Sequence, residues 1–254
     1  MKKLLTLLAS ILLCSFASCV QDEGRLIILT SADNPPYEFT SSGAIIGFDV
    51  DLVKIIAARL GKSYEIKDIT FSSIIPSLHA MQADMAIAAI TPTDLRRQNL
   101  DFSVPYQANT SALVVVKVRD FNNVKEGAYF PVELLKGRTL GVQIGTHHES
   151  DVKGADIDGV IIRRYDTVNN LVAEMMKSAS GTGILYGIII GVPEARAIVG
   201  KNSKLTFYRL KFEDSFAIAF PKGSPLRDDV NRIIDDLVAE GKISELESKW
   251  DISK

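Results

Sequence analysis

At 254 residues, with 46% hydrophobic residues and a formal charge of −2, the chain is long enough to bury a sizeable core, and it lacks the basic excess that nucleic-acid binding requires. Its only two cysteines, Cys14 and Cys19, lie at the N-terminal end, so the body is held by packing and not by disulfides.

The chain opens with Met1-Lys2-Lys3, an apolar run from Leu4 to Leu13, and Phe16-Ala17-Ser18-Cys19. A positive start, a short apolar stretch and small residues before a cleavage point form an export leader. The apolar run is about ten residues, half of what a membrane-spanning helix needs. Ala17-Ser18-Cys19 resembles the lipobox of bacterial lipoproteins, which implies cleavage before Cys19 and a lipid on that residue. Phe16 departs from the aliphatic residue usual there, and ordinary cleavage after a small residue would leave a soluble exported protein. Two of the 29 basic residues, Lys2 and Lys3, belong to the leader, leaving 27 against 31 acidic residues and a formal charge of −4. With Cys14 removed and Cys19 lipidated, no thiol remains for metal binding, nucleophilic catalysis or redox chemistry.

After a polar spacer, Arg25–Thr30 is an apolar, β-rich run that reads as a buried parallel strand. Asn34-Pro35-Pro36 stops it in a loop. Asp49–Leu60 carries Val50, Val53, Ile56, Ala57 and Leu60 at helical spacing, with Gly61 placed to cap the C-terminus. The alternation continues with a strand at Tyr64–Ile69, a helix at Ser73–Gln82 and a strand at Met85–Ile90. Ser111–Val118 is strand-like, and Asp120–Val132 is loop-rich. A second series follows: strands at Thr139–Val142 and Val160–Arg163, a helix at Val168–Lys177, an apolar run at Gly183–Ile190, a helix from Pro193, and a strand at Leu205–Leu210. Phe216–Phe220 precedes two closing helices, Pro225–Glu240 and Ser244–Trp250. Two such series predict an α/β protein of two lobes, with a ligand held beyond the carboxyl ends of the strands.

Several motifs fall in order: Asn34-Pro35-Pro36-Tyr37-Glu38-Phe39, Gly47-Phe48-Asp49-Val50-Asp51-Leu52, Ile75-Pro76-Ser77-Leu78, Ala89-Ile90-Thr91-Pro92-Thr93 with Arg96, Asp101-Phe102-Ser103-Val104-Pro105-Tyr106, Gly145-Thr146, and Lys249-Trp250. The ordered set resembles the polar amino-acid solute-binding proteins of ABC importers, the bacterial extracellular solute-binding proteins of family 3. The resemblance implies a type II periplasmic binding protein-like fold, each lobe a mainly parallel sheet flanked by helices, joined by two hinge crossings near Ala108–Leu113 and Lys211–Ser215. The implied division is a leader at 1–18, a lipidated Cys19 and spacer at 19–24, lobe 1 at 25–110 and 213–254, and lobe 2 at 111–212. It further implies a monomer at the periplasm or cell surface, closing on an amino acid and read by a membrane permease.

On this resemblance Arg96, five residues after Thr91, takes the position of the arginine that grips the ligand's α-carboxylate, for which a planar guanidinium is suited. Neighbouring Arg97 is the decoy. Thr91, the backbone of Ala89 and the Gly145-Thr146-His147 loop would complete the carboxylate site, with Thr146 alternatively a plain helix N-cap. Phe71 is a candidate apolar wall, and Asn34 supplies an amide where relatives have a ring. Tyr37 and Phe39 read as core or rim. His147-His148 is not read as a metal site, because adjacent side chains on a helix diverge and no third ligand stands at motif spacing; no cofactor is expected. Relatives neutralise the ligand's ammonium with an acid at the position of Gly191, so Glu194, Asp33 and Asp214 are the alternatives, against a solvent-facing Glu194 at a helix start. No residue pair singles out a catalyst, although the family also resembles periplasmic cyclohexadienyl dehydratases; an enzyme of that type, or a surface interaction protein on the same fold, are the competing readings. The sequence does not choose among basic, polar and acidic amino acids.

Overall fold

The computed structural model describes residues 24–117 and 124–252. The leader, Cys19 and the first part of the loop-rich stretch lie outside the described residues. The first sheet begins with β1 (Leu26–Thr30), whose Val/Ile/Leu-type side chains are buried on both faces as a central parallel strand requires. A small antiparallel ribbon follows where the sequence reads as loop: β2 (Asp33–Asn34), β3 (Glu38–Ser41) and β4 (Ala44–Ile46). Strands of two to four residues interrupted by Pro35-Pro36 carry too short a pattern to be recognised.

Helix α1 (Phe48–Arg59) is entered through Gly47, which only glycine can occupy: its φ is 138°, and a Cβ there would lie 2.0 Å from the Tyr37 carbonyl oxygen. Gly61 ends the helix region at φ 65°. Next come β5 (Tyr64–Asp68), α2 (Phe71–His79), β6 (Met85–Ala86), the single-turn α3 (Asp94–Arg97) and β7 (Leu100–Phe102). The apolar run Met85–Ile90 is thus a strand for only two residues; the rest leaves the sheet and becomes a wall between the lobes.

The long strand β8 (Gln107–Val116) carries the chain into the second lobe. There follow a 3-10 turn at Val132–Leu135, β9 (Thr139–Gln143), α4 (His148–Gly154), β10 (Ile161–Tyr165), α5 (Val168–Ala179), β11 (Gly187–Gly191) and α6 (Val192–Lys201). Strand β12 (Leu205–Phe216) returns, and β13 (Ala219–Pro221), α7 (Leu226–Ala239) and α8 (Lys242–Lys249) complete lobe 1.

The two five-stranded sheets have matching orders, β5-β1-β6-β13-β7 and β10-β9-β11-β8-β12. In each, the first three strands are parallel, and the fourth, β13 or β8, runs antiparallel to both of its neighbours. Strands β8 and β12 pair from Leu205↔Val116 to Phe216↔Gln107, with an irregularity between Arg209 and Glu213, so the crossings form one continuous ribbon. Each lobe has its own core, centred on Ile28, Phe48, Ile56, Met85 and Phe220 in lobe 1 and on Val114, Leu171, Met175 and Ile188 in lobe 2.

The diagnostic motifs prove to be braces. Asp51 accepts from Lys249 Nζ at 2.6 Å and Trp250 Nε1 at 2.9 Å, tying α1 to the end of α8. Asp49 is fully buried, and its Oδ2 accepts the Tyr106 hydroxyl at 3.0 Å and the Ala89 N–H at 2.8 Å. The second bond holds Ala89 at φ 45°, a left-handed conformation a non-glycine residue adopts only when its surroundings fix it. One motif thereby shapes the loop that the site uses.

Candidate functional site between the lobes

Loops after β1 and β6 in lobe 1 face loops after β9 and β11 in lobe 2 across a cavity of about 40 Å³. That is room for a few water molecules at roughly 10–15 Å³ each. Asn34, Phe71, Ala89, Thr146, His147, Gly191 and Glu194 all line it; Glu38, Asn109, Gln143 and His148 join them. Thr91 and Arg96, both expected ligand contacts, do not line it; they lie behind the lining residues Phe71 and His147.

Arg96 and Arg97 point different ways. Arg96 is 8% exposed, stacks over the Phe71 ring with Cζ 5.7 Å from the centroid, and donates to the carbonyls of Thr91 in lobe 1 and Gly145 in lobe 2, the latter at 2.7 Å. Its backbone N–H is capped by Thr93 Oγ1 at 3.3 Å. Burial pulls its guanidinium down to about 10, with Asp214 opposing; it stays charged at neutral pH. Arg97 is exposed and lies over Phe102.

His147 crosses the same divide: Nδ1 is 2.9 Å from the Thr91 hydroxyl, which also donates to Asp214 Oδ2 at 2.8 Å. Nε2 lies 2.9 Å from Asp214 Oδ2 and 3.4 Å from Asp151 Oδ2, without the alignment of a hydrogen bond. Two readings of this loop need correcting. Thr146 is no N-cap: α4 starts after His147, and the Thr146 hydroxyl turns back to the Gln143 carbonyl at 2.8 Å. Nor do the adjacent histidines diverge. His147 is the residue before the helix, so the ring centroids come within 4.2 Å, and Asp151 adds a third atom capable of holding a metal. Burial, helped by His147 and Arg96, holds His148 well below the usual imidazole range, and its Nδ1 faces the Ser111 hydroxyl at 3.3 Å.

The opposite wall is acidic. Glu194, at the start of α6, is 4% exposed and turned into the cavity, not toward solvent. Burial raises its carboxyl to about 7, and Oε2 has no hydrogen-bond partner. Gly191 is what lets it fit: a Cβ at 191 would stand 2.2 Å from Glu194 Oε2 and 2.8 Å from Asn109 Nδ2. The acid missing at 191 is replaced by one from the next helical turn, occupying the space that glycine leaves. Across the cavity, Asn34 Nδ2 donates to Glu38 Oε1 at 3.2 Å. Glu38 Oε2 and Asp49 Oδ1 have no donor partner. Both are resolved if the two carboxyls share one proton: burial and the adjacent Asp49 push Glu38 well above the usual range, whereas Asp49, held by two donors, rises only to about 6.

The buried guanidinium of Arg96 behind Phe71 and the buried carboxyls of Glu194 and Glu38 lining the cavity put charged groups of both signs around the cleft. The family model for bacterial extracellular solute-binding proteins, family 3, matches residues 26–253. The chain belongs to this family. Among its relatives, the arginine-binding extracellular protein ArtP of Bacillus subtilis is 30% identical over 246 residues, covering 93% of this chain and 91% of ArtP. The L-cystine-binding protein TcyJ of Escherichia coli is 26% identical, covering 91% of this chain and 84% of TcyJ. Among solved structures, an ancestral arginine-binding protein bound to arginine is similar with a TM-score of 0.79 and 32% identity, over 89% of this chain and 98% of that one. This family 3 protein is therefore an extracytoplasmic solute-binding receptor of ABC import, built as two lobes that close on an amino acid.

The functional residues that sequence reasoning passed over are Glu38, Asn109, Gln143 and His148. Glu38 had a signal: it alternates with Phe39 in a short β-run, and one of the two must face inward. Asn109 and Gln143 had none, being single polar residues on apolar strands.

Proposed function

We propose that this receptor takes up a cationic amino acid of the arginine type and delivers it to an ABC permease. What carries the reading is Glu194, a buried carboxylate aimed into the cavity with an oxygen that no protein donor serves. An unpaired buried charge is costly, and a ligand ammonium removes that cost. Arg96 exchanges its two carbonyl partners for the ligand carboxylate, whereas the Ala89 and Thr146 N–H groups already serve Asp49 and Gln143. The Glu38–Asp49 pair provides a second negative site in lobe 1, suited to a cationic side chain, and Phe71 lies beside Arg96 as the apolar wall. The arginine-binding relative and the arginine-bound neighbours agree with this choice. Outside the described residues, the leader ends at Ser18 and Cys19 carries the lipid, which places the receptor on a membrane at the periplasm or cell surface. Binding, with no chemistry performed on the ligand, is its role.

Titration calorimetry with L-arginine, L-lysine, L-glutamine and L-glutamate, after unfolding and refolding to strip carried-over ligand, tests the reading. L-Arginine and L-lysine are expected to bind at least tenfold tighter than L-glutamine, with L-glutamate weakest. Tighter binding of L-glutamine or L-glutamate would refute the cationic assignment.

A further inference from the structure

We propose that Asp33 is the latch between the lobes: a lobe 1 carboxylate that caps the first turn of lobe 2 helix α5 and sets how long the closed form lasts. Asp33 Oδ2 accepts the Val168 N–H at 2.7 Å, a bond between residues 135 positions apart. Its other oxygen accepts the Ser31 hydroxyl at 3.2 Å. Both oxygens are therefore used by the protein, unlike those of Glu194, and Asp33 is partnered without any ligand.

The geometry suits a helix cap. The 12-residue α5 has Thr167 as its own N-cap, with Thr167 Oγ1 accepting from Asn170 N–H at 3.1 Å. One side chain cannot satisfy the whole first turn, and the Val168 amide is left for a partner from outside. A carboxylate there also meets the positive end of the helix dipole. When the lobes part, the carboxylate and the amide both return to water, so the bond favours only the closed form. The Arg96–Gly145 and Thr91–His147 contacts also cross between the lobes, but they belong to the ligand site. Asp33 and Val168 also line the cavity, but both Asp33 oxygens are already engaged by protein donors, so their contact acts on retention and not on recognition.

Two variants remove the two halves of this bond. Asp33→Ala deletes the acceptor. Val168→Pro deletes the donor at the first helical position, where proline is tolerated, and Thr167, at φ −132° and ψ 154°, already has the backbone that precedes proline. Spin labels on cysteines introduced at exposed Lys54 and Lys201, one per lobe, report the lobe separation without ligand. Both variants are expected to lower the closed fraction, and the double variant to equal the singles. With L-arginine as probe, each should raise the dissociation rate about tenfold, the scale of a charge-assisted hydrogen bond, with association unchanged and Asp33→Asn intermediate. Unchanged separations, or losses that add in the double variant, would overturn the latch; so would an Asp33→Ala defect confined to association, which would make Asp33 a ligand contact. Failure of L-arginine to bind the parent protein would refute the ligand assignment alone, because the label distances decide the latch by themselves.

Discussion

If Glu194 meets the ligand ammonium as proposed, its buried environment makes that role pH-dependent. Its carboxyl sits at about 7 because burial penalises the charge, and a ligand ammonium would favour the ionised form. At pH 6 the free receptor is mostly protonated there and the complex is not, so binding L-arginine should release a proton and tighten as pH rises through 7. Calorimetry at pH 6 in buffers of different ionisation enthalpy measures that release. Glu194→Gln should abolish it and cost about 2–5 kcal/mol of affinity, the range for losing one partner of a buried charge pair. Arg96→Ala should cost a similar amount and Arg97→Ala almost nothing, because only Arg96 is buried between the lobes; Arg96→Lys should also bind poorly, lacking the planar fork. Equal, small losses at 96 and 97 would show the clamp to be elsewhere. Arg96 was singled out by its resemblance to the family's arginine, and it is the buried one of the Arg96–Arg97 pair. The inward turn of Glu194 was not legible, because a glutamate three residues into a helix start reads as solvent-facing unless the space opened by Gly191 is visible.

Among the elements, the β11–α6 junction is where a glycine shapes the cavity lining. Adding a methyl group at Gly191 meets the end of the Glu194 side chain, which can swing aside, and not rigid backbone. Gly191→Ala is therefore expected to leave the melting temperature within a few degrees while weakening L-arginine binding about tenfold or more, a difference of about 1.4 kcal/mol per decade. Combining Gly191→Asp with Glu194→Val moves the acid to the position relatives use and should restore binding that Glu194→Val alone loses. Helices were the legible elements: α1, α5 and α7 show apolar spacing over twelve or more residues, and the turn before each is marked. The apolar runs Met85–Ile90 and Gly183–Ile190 overstate their strands, because Ile87, Ile90 and Leu185 pack into the lobe cores without joining a sheet. The β2–β4 ribbon stayed hidden for the opposite reason, being too short to repeat.

For the molecule as a whole, the buried acids tilt the pH dependence of stability. Asp49 at about 6 and Glu194 at about 7 both lie above their ordinary values of 3.8 and 4.5, so the folded state holds protons that the unfolded chain gives up. Stability from these groups is full below about pH 4 and falls as pH rises toward 7, by an amount on the order of 3 kcal/mol for a shift of two to three units. The carboxylates drawn down by partners, Glu149, Asp101 and Asp51, are half-buried and act in the opposite sense only at more acidic pH. Ligand-free receptor should accordingly melt higher at pH 5.5 than at pH 8 in scanning calorimetry, and Glu194→Gln should flatten the difference. A melting temperature that rises from pH 5.5 to pH 8 would mean that these carboxyls are ionised in the folded state.

The continuous β8–β12 ribbon also has a modular consequence. Because the chain leaves lobe 1 and returns to it on paired neighbours, with Asn109 opposite Asp214, everything between them is one cassette inserted at a single point. The cassette carries Gly191 and Glu194, the half of the site proposed to meet the ammonium; Arg96, Glu38 and Asp49 stay behind in the host. Recombination at that one seam can therefore exchange half of the recognition chemistry in a single event, leaving the carboxylate grip and the core of the other half intact.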